Sequence, residues 1–157
     1  MSSNAKIGYC FLALIFLSVL TIGRDGFTTL VEGANEDKIA VGTLRETFDS
    51  LPIVPGSMPK GAVRKFDKGV VTSYSKNMYV AGSMDHIVRS YESVLPQQGW
   101  ERYAEKKVNG NIQSIKFCKS GIALIIGVVD SVEGGTVYGV QVVWDADANS
   151  SLHCPLA

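Results

Sequence analysis

The side chains best suited to proton transfer are His86 and His153, the two histidines of the chain. Among side chains, imidazole alone has an unperturbed pKa that falls between about 5 and 8. His86 falls on the first turn of a predicted helix and is expected at the surface, which suits a capping or solvent-facing role better than that of a general base. The carboxylates Asp85, Glu92, Glu101 and Glu105 fall mostly on polar faces and read as solvated, so no paired acid and base can be built from them. No His-x-x-x-His and no closely paired cysteines supply a metal ligand set. The run Gly134 to Gly139 is glycine-rich, but it leads into a strand. Its amides therefore cannot converge on a phosphate as they do at a helix amino terminus, and it reads as a hairpin turn. No serine stands in a nucleophile-elbow context. The expectation is a chain without catalytic, metal or cofactor residues.

Two features carry more. Cys118 and Cys154 form an even pair that suits a disulfide in an oxidising compartment; the alternative is two unrelated thiols. The bond would close a loop of about 36 residues and contribute ~3–4 kcal/mol in the chain-entropy model. Cys118 shares a strand face with Lys116, away from Phe117, and so points towards a tail and not into the core. Lys60, Arg64, Lys65 and Lys68 make one short stretch basic. The plain reading is a solvated loop; the sharper one is contact with anionic lipid headgroups or an acidic partner.

These residues sit in a chain of 157 residues with zero formal net charge. There is no bulk basic field to attract nucleic acid. One domain plus an appendage fits this length. Residues 7–23 are free of charge and rich in Leu, Ile and Phe. As a helix they reach roughly 25 Å at about 1.5 Å per residue, slightly short of the ~30 Å hydrocarbon core. Cleavage after Gly23 leaves almost no polar segment before the cut, and Gly33 lies far from the apolar run. An uncleaved signal-anchor is therefore favoured, with secretion after cleavage as the alternative. Cys10 lies near the start of the apolar run, where a lipoprotein cysteine would not. Flanking charge does not settle orientation, but a short amino-terminal tail favours the domain on the outer, non-cytoplasmic side.

Residues 24–50 read as a tether, with weak helical spacing at Ile39, Leu44 and Phe48 nearest the domain. Residues 51–147 form the domain and residues 148–157 a carboxy-terminal tail. Leu51 to Gly56, with two prolines around an apolar pair, suits an extended edge segment. Val70, Thr72, Tyr74, Met78 and Val80 alternate with polar residues as in a half-buried strand. Met84, Ile87, Val88, Tyr91, Val94 and Leu95 recur at helical steps. Ser83 stands at the start of that helix, and Pro96 with Gly99 at its end. Trp100 to Val108 is a charged strand near an edge. Asn109 and Gly110 make a tight hairpin into Ile112 to Lys119. Ser120 and Gly121 turn the chain into Ile122 to Val129, which is apolar on both faces and reads as central. Val137 to Trp144 closes the domain, with Tyr138, Val140, Val142 and Trp144 on one face. The expected fold is α+β: an antiparallel sheet of four to five strands with one main helix packed on one face, preceded by the transmembrane or signal helix.

Leu51 to Gly56, Tyr91 to Trp100 with its terminal Gly-Trp, and the hairpins that follow resemble a widespread group of small bacterial exported domains. Members commonly follow a signal peptide or membrane anchor and join a proline-flanked first strand, a helix and an antiparallel sheet. The resemblance covers residues 51–145. It implies a fold and a location, and no reaction. One helix covers part of one sheet face only, so the second face is expected to meet the tether, another copy or a protein partner. The reading is a membrane-anchored envelope domain with a non-catalytic protein-binding or assembly role, held to the lipid bilayer by residues 7–23. The alternative is a small exported enzyme or ligand-binding domain with a pocket between helix and sheet.

Overall fold

The computed structural model describes residues 42–155. The anchor expected over residues 7–23 and the tether up to residue 41 lie outside them. The order is a helix α1 over residues 42–49, strands β1 (Met58–Asp67) and β2 (Val71–Val80), and helix α2 (Met84–Val94) with a 3-10 turn, Leu95–Gln98. Strands β3 (Glu101–Val108), β4 (Asn111–Lys119), β5 (Ile122–Val132) and β6 (Gly135–Asp145) follow. All neighbouring strands run antiparallel, in one six-stranded sheet of order β1-β2-β6-β5-β4-β3.

This corrects the expectation of four to five strands and one main helix. The described residues are mostly sheet, with six strands and two helices among them. The added strand is β1, whose residues read as a basic loop. Pro59 and Gly61 interrupt it, and between Lys60 and Arg64 its register shifts: β1 advances by four residues while β2 advances from Asn77 to Ser75. Such a bulge erases the alternation by which a strand is recognised. As an edge strand it tolerates the proline. The proline-flanked segment expected to be the edge is irregular instead; Val54 is buried there, and its carbonyl accepts a hydrogen bond from the Ser57 amide.

The added helix is α1. Leu44 is 0% and Phe48 8% exposed, one helical turn apart, and both belong to the main core. Phe48 meets the Tyr74 ring at 6.2 Å, and the Arg45 guanidinium lies 5.4 Å from that ring's centre. α1 thus covers the β2 side of one sheet face. From α2 and its 3-10 extension, Ile87, Val88, Tyr91 and Leu95 pack in the same core with Ile115, Phe117, Leu124, Ile126, Tyr138 and Val142. Two hydroxyls pair at its margin: Tyr138 Oη lies 2.8 Å from Ser57 Oγ, and the Tyr91 phenol is buried nearby. Burial pushes both phenols up from their ordinary value.

Local signals place these elements. Gly99 takes φ 79° at the end of the 3-10 turn. Ser83 occupies the N-cap position, but its side chain makes no capping bond; its carbonyl accepts from the His86 and Ile87 amides. Asn109 and Gly110 have φ 52° and 81°, the paired positive values that a two-residue hairpin turn requires.

The second face is met at one end by the chain's own tail. Cys154 and Leu152 pack over Cys118, Ala123, Val143, Val71 and Ile125. That cluster occupies part of the apolar surface for which the sequence called for a cover.

Truncating Leu44 tests whether α1 belongs to the core. Leu44→Ala is expected to cost about 2–5 kcal/mol, and Glu46→Ala, on the exposed side, less than about 0.5 kcal/mol. Urea unfolding of the full chain in mild detergent measures both. Equal, small losses would make α1 a passive tether.

Candidate functional site

Three arrangements bring together residues that could act on something outside the molecule: the β1 margin, a pocket beside α1, and the disulfide-bound tail. At the margin, Met58, Lys60, Arg64 and Phe66 stand opposite Tyr79, Asn77, Ser75 and Ser73. Directly opposed residues share a face. All four therefore lie on the second face, because the bulge adds an even number of residues between Lys60 and Arg64. Lys65 stands opposite Tyr74 and so lies on the helix-covered face. The sequence grouped Lys60, Arg64, Lys65 and Lys68; the structure separates Lys65 from the rest.

Lys65 is also neutralised. Its ammonium is 2.8 Å from the Asp67 carboxylate, and this hydrogen bond raises the lysine and holds Asp67 below the usual carboxylate range. The Gly69 amide and Thr72 hydroxyl also bond Asp67. Lys60, Arg64 and Lys68 have no carboxylate partner among the described residues. Lys68 instead lies over the Phe66 ring at 5.8 Å. Between the cations, Met58 is 58% and Phe66 48% exposed. Arg64 also borders a groove of about 270 Å³ with a polar floor of Ser75, Asn77 and Gln141 and the opposed glycines Gly127 and Gly139.

The second arrangement is a pocket between helix and sheet, in which the sequence did not single out Lys76. Lys76 sits on β2 opposite Val140, in line with Tyr74 and Met78 on the helix-covered face. It lines a pocket of about 150 Å³ with Phe48, Leu51, Val63, Met78 and Tyr91. A signal existed: Lys76 is the one charged residue in the alternating run from Thr72 to Val80.

The third arrangement joins Cys118 to Cys154, 36 residues apart, with 5.6 Å between their Cα atoms. Cys118 leaves the helix-covered face and turns to the tail, as its place beside Lys116 implies. Lys116 supports the tail by donating to the Ser151 carbonyl at 3.0 Å and the His153 carbonyl at 2.5 Å. The desolvation this entails lowers the lysine from its ordinary value. His153 Nδ1 donates to the Asp145 carbonyl at 2.9 Å, a structural bond. His86 is exposed. Glu92 and Glu105 both pair with Arg102, and Lys107 joins Glu105 at 2.7 Å, a surface network of modest energy. Among the described residues, no three His, Cys, Asp or Glu side chains are placed to hold a metal, and no helix is long and apolar enough to cross a membrane.

Compared with protein-family models, curated proteins and solved structures, the chain matches none.

Replacing both bonded cysteines by serine is expected to lower stability by about 3–4 kcal/mol, read from the urea midpoint of the full chain under non-reducing conditions. Adding a reductant to the wild-type chain should shift the midpoint the same way. A midpoint unmoved by either change would mean that the tail contributes nothing.

Proposed function

We propose a membrane-tethered domain of the cell envelope with a binding or assembly role and no catalysis, working by surface contact through the β1 margin. The carrying observation is that Lys60, Arg64 and Lys68 stand on one margin beside exposed Met58 and Phe66, with no carboxylate partner among the described residues. Charge complementarity calls for an acidic counterpart. Strand addition does not suit this edge, because Pro59 and the bulge break the row of backbone donors that a new strand would need. Two-fold self-association through the margin would bring like charges together.

The acidic surface nearest a domain tethered by residues 7–23 is the headgroup layer of its own bilayer, and we assign the contact to it. Cations interleaved with exposed apolar side chains fit that boundary. The disulfide supports an oxidising compartment, in keeping with the resemblance to exported domains.

Hydrogen–deuterium exchange of the full chain in nanodiscs tests this assignment. Phosphatidylglycerol added to phosphatidylcholine discs should slow exchange across residues 58–70, and salt should reverse the effect. Each cation near such a surface contributes ~1 kcal/mol. The triple variant Lys60→Gln, Arg64→Gln, Lys68→Gln should lose the protection, while Lys65→Gln keeps it. No dependence on anionic lipid, or protection unchanged in the triple variant, would refute the assignment.

A further inference from the structure

We infer that the pocket beside α1 is a binding site for a small apolar carboxylate, with Lys76 as its anion-binding group. This rests on different residues from the β1 margin, so each stands without the other.

The position of Lys76 carries the inference. β2 is an internal strand, paired with β1 on one side and β6 on the other. Its helix-covered face buries Met78 and Val80, and Val140 opposite Lys76 is buried too. A lysine there is half-buried, and its side chain makes no ion pair or hydrogen bond with any described residue. An ammonium drawn out of water normally finds an anion or a carbonyl. The one carboxylate lining the pocket is Asp49, and it is held by Arg45 Nε at 2.7 Å. Arg45 is in turn laid over the Tyr74 ring. The pocket therefore has a positive group whose counter-ion is committed elsewhere.

Its remaining walls select an apolar body. Phe48, Leu51, Pro52, Val63, Met78 and Val140 line it. Its volume of about 150 Å³ matches a cavity that accepts a molecule of about six carbons. A carboxylate at Lys76 with a short hydrocarbon body meets both requirements, and a neutral or cationic analogue meets one at most. The competing view is that Lys76 lays its methylenes on the core and sends its ammonium into water. The same hydrocarbon chemistry could also arrive as an acyl chain of the bilayer.

Methyl-methionine NMR of the full chain separates these possibilities. Met78 lines the pocket, whereas exposed Met58 lies on the other face and serves as the internal reference. Hexanoate titrated into phosphatidylcholine nanodiscs should shift Met78 saturably and leave Met58 unmoved. Hexanol should bind about tenfold more weakly, and Lys76→Gln should weaken hexanoate by about tenfold while leaving hexanol unchanged. Equal affinities for acid and alcohol, hexanoate binding unaltered in Lys76→Gln, or no saturable Met78 shift would overturn the inference. So would a Met78 signal that differs between nanodiscs and lipid-free amphipol and does not respond to hexanoate, since that assigns the pocket to a lipid chain.

Discussion

A strand that is apolar on both sides must be kept from water on both sides, and β5 imposes that requirement on the whole molecule. Leu124 and Ile126 point to one face, Ala123 and Ile125 to the other. Fully burying side chains of this size contributes roughly 1.5–3 kcal/mol each for the larger ones. The helix-covered face meets the requirement with two helices, α2 over the middle of the sheet and α1 beside Tyr74 of β2. The second face meets it with a tail of few residues, too short to form a layer by propensity. The Cys118–Cys154 bond and the Lys116 hydrogen bonds hold that tail in place.

Where the cover stops, the surface changes character. Beyond the tail, the second face turns to Ser75, Asn77, Gln141 and paired glycines, and then to the cations and exposed apolar groups of β1. The same sheet therefore has a sealed end and an open margin. On the helix-covered face, α1 and the irregular segment after it leave a gap in which Lys76 stands among apolar walls.

How much could be read beforehand follows from the physics of each element. α2 was legible because its apolar face and its terminal glycine agree. The last three hairpins were legible because Asn109 with Gly110, Ser120 with Gly121, and Gly134 mark turns, and all five take positive φ. The disulfide was suggested by the even pair of cysteines left in the domain, and strand parity told only which way Cys118 points. β1 was hidden by Pro59 and the bulge, which remove the period that marks a strand. α1 was hidden because Leu44 and Phe48 offer only one turn of helical spacing, and only tertiary packing makes them core. The basic cluster was seen as a group, but which cations share a face depends on register, and register depends on the bulge. Lys76 was visible as an oddity in its strand and gained meaning only once Phe48 and Leu51 closed around it.

The account depends most on the compartment, and the redox state of the cysteine pair in cells reports it directly. Thiols would be blocked at the moment of lysis, and the full chain recovered from membrane and soluble fractions for intact mass measurement without reduction. The account predicts a membrane-bound chain in which Cys118 and Cys154 take up no blocking agent. A soluble chain with both of them blocked would place the domain in a reducing cytosol and contradict it.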